Sequence, residues 1–226
     1  MTIRMKFCLL RLAILVVLLS VPTLGSKILA AEKEFRNYLS IDYTTVRGDA
    51  GSLRLALSPY LTVENRFRDG NLVYQQWNLG SRLNLLSWLG FQAYYTPREL
   101  MYPGKSRANK DVAGFDVLLN PSYGPFRLLD RMANEWHMTD RFYRYRNFTD
   151  IIYKSPVRWI ALDAFEEFRA DSDQQRINQN DLGAGLQLLL NKSLSLRAFY
   201  DLEASRRQLP EWHYVSYIGV SIGAHL

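Results

Sequence analysis

Arginine is the residue type through which this sequence could do chemistry. Glu64, Arg66 and Arg68 stand two apart, as do Arg144 and Arg146, and Glu167 and Arg169. In an extended strand, a spacing of two places side chains on one face. A guanidinium is a planar fork of donors that matches carboxylate, sulfate and phosphate. A ring of them inside a pore favours anions. With Arg82, Glu135 and Arg197, these residues form one candidate set for a lumen or constriction. The same arginines could instead pair with the chain's own acids and simply hold a structure shut.

Other chemistry finds less support. After residue 31 the histidines are His137, His213 and His225. His137 shares a strand face with Glu135, as a base and its orienting carboxylate would, but no Ser lies within two residues of it. No Gly-x-Ser-x-Gly and no metal-ligand spacing occurs. Asp171, Ser172, Asp173, Asn178, Asn180 and Asp181 offer oxygen ligands for Ca²⁺ but lack the glycine and spacing of a calcium loop. The expectation is no enzyme, no catalytic residue, no cofactor and no metal. A lipid-modifying enzyme using His137 or His213 is the rival.

The elements that position the arginines are strands. From residue 35 onward, segments of 8–14 residues alternate with period two, separated by turn residues. In residues 193–205, Leu194, Leu196, Ala198, Tyr200 and Leu202 oppose Ser193, Ser195, Arg197, Asp201 and Glu203. The polar faces are rich in Arg, Glu, Asp and Tyr and poor in Lys. A soluble sandwich would place its apolar face inside and carry many Lys outside. The opposite arrangement, apolar towards lipid and charged towards the lumen, is that of a transmembrane β-barrel. On this phase eleven arginines point inward: Arg36, Arg54, Arg66, Arg68, Arg82, Arg98, Arg131, Arg144, Arg146, Arg169 and Arg197. Asp42, Glu64, Asp116, Glu135, Asp163, Glu167, Asp181, Asp201 and Glu203 join them.

The expected fold is therefore all-β, a single antiparallel transmembrane barrel of about twelve strands, with ten as the second count. The strands fall near 35–46, 52–58, 60–68, 72–84, 90–99, 111–121, 126–138, 141–154, 158–170, 179–190, 193–205 and 213–226. An even number places both ends of the barrel at one rim. In 141–154, Asn147 and Thr149 share a face with Tyr143 and Tyr145, which points to a bulge. Turns at 58–59, 87–90, 123–125, 155–156 and 191–193 are short, whereas 47–51, 69–71, 101–110, 171–179 and 206–211 are longer or more polar. Trp88, Tyr123, Phe126 and Trp159 gather near the first group, and Tyr102, Trp212 and Tyr214 near the second, as two interfacial girdles would.

The first 31 residues read as a cleaved signal peptide. Arg4, Lys6 and Arg11 precede the apolar run Leu12–Leu19, and small residues follow at Gly25 and Ala30-Ala31. The run is shorter than the ~20 residues of a membrane-spanning helix. Residues 32–226 form the barrel. This address accounts for most of the charge. The whole chain has 28 Lys+Arg and 22 Asp+Glu; removing Arg4, Lys6, Arg11 and Lys27 leaves 28 − 4 = 24 bases, or +2. Nucleic acid is not an expected partner. The lone Cys8 excludes a disulfide scaffold.

The final strand carries the most specific pattern. Ile218, Val220, Ile222, Ala224 and Leu226 share one face, as in strands that barrel-assembly machinery reads. In this pattern, and in Glu64–Arg68, Arg144–Asn147, Phe165–Arg169, Arg176–Gly185 and Leu196–Tyr200, the sequence resembles an uncharacterised group of outer-membrane barrels, catalogued as a domain of unknown function (number twenty-four-ninety). The resemblance implies an outer-membrane barrel without an assigned activity and supplies no catalytic residues. The architecture is also similar to small channels that pass acidic oligosaccharides. The expected function is a narrow passive channel in the outer membrane of a Gram-negative cell, weakly preferring small anionic solutes. Its expected partners are outer-membrane lipids and the assembly machinery. A closed structural or partner-binding barrel is the alternative.

Overall fold

The structure is a computed structural model that describes residues 32–44, 46–50, 53–101, 107–174, 176–191, 193–206 and 211–225. The signal-peptide reading on residues 1–31 lies outside them. The described residues form strands β1 (Glu32–Asp42), β2 (Val46–Ala50), β3 (Leu53–Arg68), β4 (Asn71–Asn84), β5 (Leu89–Leu100), β6 (Ala108–Leu119), β7 (Ser122–Tyr123), β8 (Phe126–His137), β9 (Phe142–Lys154), β10 (Ile160–Asp171), β11 (Arg176–Leu189), β12 (Leu194–Ser205) and β13 (His213–His225).

Neighbouring strands pair antiparallel in chain order from β3 round to β13, with the two-residue β7 set aside on β8. β1 then closes the ring. It runs parallel to β13, from Glu32↔Val215 to Asp42↔His225, and antiparallel to β3, from Phe35↔Phe67 to Asp42↔Tyr60. Among the described residues the wall thus holds eleven strands, and β2 adds a short extension on β3. Full closure leaves no unpaired sheet edge along the wall.

The about-twelve-strand barrel expected from the sequence is present, with one internal difference. Segments 52–58 and 60–68 are a single strand, β3, that runs straight through Pro59. The reason is local. The Tyr43 N–H donates to the Pro59 carbonyl at 3.1 Å, so both backbone polar positions of Pro59 face the side where β1 ends and β2 begins. A residue without an N–H costs little where the neighbouring strand changes over. An odd wall also makes the closing pair parallel. β1 therefore starts at the upper rim, and β13 ends at the lower one, so the two do not share a rim. Residues 47–50, expected in a connection, belong to β2, which accordingly lies at the lower rim, beside the turns at 85–88, 120–125 and 155–159. The upper rim carries the facing ends of β5 and β6, of β10 and β11 and of β12 and β13, the turn at 138–141 and the two-residue hairpin turn Asp69-Gly70, where both φ angles are positive (51° and 77°).

Phase is the feature that positions everything else. In β10, Ala161, Asp163, Phe165 and Glu167 are buried, and Leu162, Ala164 and Glu166 are exposed. Outward apolar side chains run round the wall, among them Leu39, Leu79, Phe115, Ile151, Leu186, Ile218 and Ile222. Trp88, Tyr123 and Trp159 stand exposed at the lower rim; near the upper rim Trp136 packs at a tilt against Tyr143, centroids 4.5 Å apart. Tyr102 lies outside the described residues.

β9 contains no bulge: its register with β8 and β10 is continuous. Asn147 and Thr149 do face outward, beside Tyr143 and Tyr145. They are satisfied there by Asp130 on β8, which accepts from Asn147 Nδ2 at 2.8 Å and Thr149 Oγ1 at 3.3 Å. The register shifts fall instead at Arg66/Phe67 and Arg169/Ala170.

Inside, an aromatic ring lies over a glycine on the adjacent strand four times. The directly paired residues are Tyr60↔Gly80, Tyr94↔Gly114, Phe165↔Gly183 and Phe199↔Gly219. A Cβ on any of these glycines would collide with the ring opposite it. The rings fill space that a second side chain would otherwise take, and they narrow the lumen.

Candidate functional site: an arginine-lined lumen

Three cavities follow one another along the barrel axis. The upper one, about 260 Å³, is walled by Glu34, Arg68, Arg144, Gln179, Glu203 and Tyr217 among others. The middle one, about 310 Å³, lies between Arg36, Glu64, Arg146, Glu167, Asp181 and Arg197. The lower one, about 190 Å³, lies inside the turn 85–88. Arg66, Arg98 and Arg169 border both the upper and the middle cavity. Arg82, Gln92, Arg131 and Phe148 border both the middle and the lower. The lumen is thus a file of chambers divided by an upper layer of arginines and a lower layer in which two arginines stand with Gln92 and Phe148.

Most of these charges are paired. Two alternating runs account for the pattern. The first joins β5, β8, β9, β10 and β11. Glu135 is fully buried and meets Arg98 at 3.5 Å and Arg146 at 2.6 Å. Arg146 continues to Glu167 at 2.7 Å, Glu167 to Arg169 at 2.5 Å, and Arg169 to Asp181 at 3.0 Å. The second joins β1, β3 and β12. Arg36 contacts Asp201 at 2.7 Å, Glu203 at 3.4 Å and Glu64 at 3.5 Å; Arg66 contacts Glu64 at 2.6 Å and Glu203 at 3.4 Å. Arg36 also lies over the Tyr217 ring, 3.7 Å from its centroid. Alternation of sign is what a sparsely hydrated interior demands, because an unmatched buried charge costs several kcal/mol.

The remaining pairs stand at the margins. Arg68 donates to Glu34 through Nε at 2.6 Å near the upper rim. Arg144 grips Asp171 with two bonds of 2.5 and 2.8 Å. Arg197 reaches Asp163 through Nε at 3.1 Å. Arg82 differs. Its hydrogen-bond acceptor is the neutral Gln92 Oε1, at 3.3 and 3.4 Å, and it forms no ion pair among the described residues.

Nine of the ten candidates from the sequence line this lumen or its margins. Glu64, Arg66, Arg146, Glu167 and Arg169 converge at the middle cavity, with Arg82 and Arg197 at its lower side. Glu135 lies behind the arginines that it neutralises. Arg68 and Arg144 belong to the upper cavity and are remote from the middle. The side chain of Arg54 lies outside the described residues. The sequence reading missed Glu34, Arg127, Asp150 and Asp171, which are inward or buried as well. Asp150 carried a signal: without a bulge in β9, it follows Arg144, Arg146 and Phe148 on the inner face.

The histidines sit in ordinary surroundings. His137 is 5% exposed, stacked on Phe142 at 4.3 Å and 3.2 Å from Glu135, whose other oxygen serves Arg146. His213 borders the upper cavity, and His225 meets Asp42 at 2.5 Å on the lower seam. The oxygen-rich set near 171–181 does not converge. Asp171 serves Arg144, Asp181 serves Arg169, and Asn180 faces outward to Glu166. Among the described residues no cluster of His, Cys, Asp and Glu could hold a metal ion. Comparison of the sequence with protein-family models and with curated proteins found no match.

Proposed function

We propose that this chain is an outer-membrane barrel whose lumen passes small solutes slowly, with a preference for anions. The observation that carries the reading is the composition of the middle cavity. Its wall includes Arg36, Arg66, Arg82, Arg98, Arg131, Arg146, Arg169 and Arg197, eight arginines. The carboxylates there are Asp42, Glu64, Glu167, Asp181 and Asp201, five. Several acids that neutralise the mesh, Glu135, Asp116 and Asp163, have side chains wholly withdrawn from the surface, so the cavity meets guanidinium more than carboxylate. The apolar outer face, the aromatic residues at both rims and the signal-peptide pattern support the membrane location. The resemblance to the uncharacterised outer-membrane group and to small channels for acidic oligosaccharides agrees with this reading. Outer-membrane lipids and the barrel-assembly machinery are the partners it requires.

The test is single-channel conductance of refolded protein in a planar bilayer, with the reversal potential measured across a KCl gradient. Anion-biased steps are expected, and Arg82→Gln should shift the reversal potential towards the cation side without loss of folding. A silent barrel that is correctly folded would remove the channel reading. It would favour the closed structural barrel, for which the continuous ion-pair mesh already speaks. Lipid turnover abolished by His137→Ala would instead establish the enzymatic alternative.

A further inference from the structure

The lower cavity differs from the two above it in its charge. Its side chains include Arg82, Arg127 and Arg131, with Asn84, Asn120 and Gln92 as further polar groups, and no carboxylate among the described residues lines it. Arg82 donates only to neutral Gln92, and Arg127 donates to neutral Asn120 through Nε at 2.5 Å. Neither forms an ion pair among the described residues. Arg131 stands 3.2 Å from Asp116, yet its buried Nε is out of line for a hydrogen bond. Asp116 itself is fully buried and sits behind Gln92, which donates to it. Asp150, inward on β9, is buried with its Oδ1 unpartnered and makes no ion pair with Arg127. In a mesh where nearly every other described inward arginine meets an acid, two guanidinium groups share one chamber while donating to neutral amides alone.

We propose that this chamber is a binding site for a phosphate-type oxyanion, entered from the lower rim. Three forks converging on one space suit a group with several acceptor oxygens. A volume of about 190 Å³ is below the usual range for drug-sized ligands, roughly 300–1,000 Å³, so the site takes the anionic head and a short substituent. Leu86, Leu89 and Trp88 form the apolar side of the entrance, and Trp88 is 47% exposed there. The ligand is therefore a phosphate on a small carbon skeleton, either of a free solute or of a lipid headgroup at that rim. The site shares the lumen with the channel reading but does not depend on flow, since a barrel that conducts nothing would still bind.

The test is calorimetric titration of the refolded full barrel in a non-ionic detergent, at about pH 8, where phosphate is doubly charged. Inorganic phosphate is one probe and a water-soluble short-chain phosphatidate the other. Saturable binding is expected, weakened about tenfold or more by Arg82→Gln and by Arg127→Gln, and unchanged by Arg176→Gln at the opposite rim. Arg82→Lys, which keeps the charge and loses the fork, should fall between. Heat-dependent gel mobility verifies folding of each variant. Binding of phosphate assigns the site to a free solute, and binding of the phosphatidate alone assigns it to a headgroup. Absence of both, or binding that neither Arg82→Gln nor Arg127→Gln weakens, overturns the proposal.

Discussion

Replacement of Arg36 by Met tests whether the mesh holds the barrel together. Arg36 is 4% exposed and ties β1 to β12 across β13 and to β3 beside it. Met keeps the length of the side-chain stem, so little packing is lost. What remains of each carboxylate decides the magnitude. Glu64 retains Arg66 at 2.6 Å, and Glu203 retains Arg66 and the Tyr217 hydroxyl, at 3.4 and 3.3 Å. Among the described residues Asp201 retains no cation in ion-pair contact, and its Oδ1 has no hydrogen-bond partner. One buried carboxylate is therefore stranded, at a cost of about 3–5 kcal/mol. Loss of the cation over the Tyr217 ring adds about 1 kcal/mol. With a urea slope of about 2.5 kcal/mol/M, the unfolding midpoint should fall by about 1.6–2.4 M. The assay is urea titration of protein refolded into lipid vesicles, followed by tryptophan fluorescence. The Arg36→Met/Asp201→Leu pair removes the stranded charge and should recover most of the loss. A drop below about 0.3 M in the single variant, or a double variant no more stable than the single one, would refute the account.

Arg66→Gln, which strips Glu64 of its nearest cation, should cost about 3 kcal/mol in the same assay, whereas Arg82→Gln should stay within about 0.5 kcal/mol because no acid depends on it. Gly219→Val forces a branched side chain into the Phe199 ring and against the Arg36 carbonyl and should destabilise by about 1–3 kcal/mol, of which Phe199→Ala relieves only the ring's share. In planar bilayers, Arg82→Glu should reverse the expected anion preference, and Arg144→Gln should not, because Arg144 borders the upper cavity and is held by Asp171. Equal selectivity in the two variants would contradict the placement of the middle cavity.

Alternation made the wall legible from sequence, because a two-residue period fixes each side chain as inward or outward once one is placed. Ten of the eleven arginines expected to face inward are described, and all ten do. Strand boundaries were less legible at Pro59, where a turn residue sits inside a strand because the neighbouring strand changes over. The suspected bulge in β9 was wrong for a related reason. Asn147 and Thr149 looked out of phase, but their polarity answers Asp130 on β8, a partner 17 residues earlier than Asn147 that only the register brings close. Sequence gave no means of seeing which arginine lacks an acid. Arg82 and Arg144 are equivalent in type and phase, and only the fold separates a guanidinium facing Gln92 from one gripped by Asp171.

The parallel seam between β1 and β13 carries a consequence for how the chain acquires its shape. Phe35 lies against Ile218, a separation of 218 − 35 = 183 residues, whereas the other wall pairs join nearest neighbours in sequence or nearly so. Hairpins from β3 to β12 can therefore form early and locally, but the ring cannot shut until β13 is in place. Until then two long open edges remain available to the wrong partner. Arg36 reaches past β13 to Asp201 and Glu203, so the same event that joins the edges also brings a buried cation to the acids of β12. Closure and neutralisation are one step, and an intermediate halted before it would carry both an open sheet and an unmatched charge.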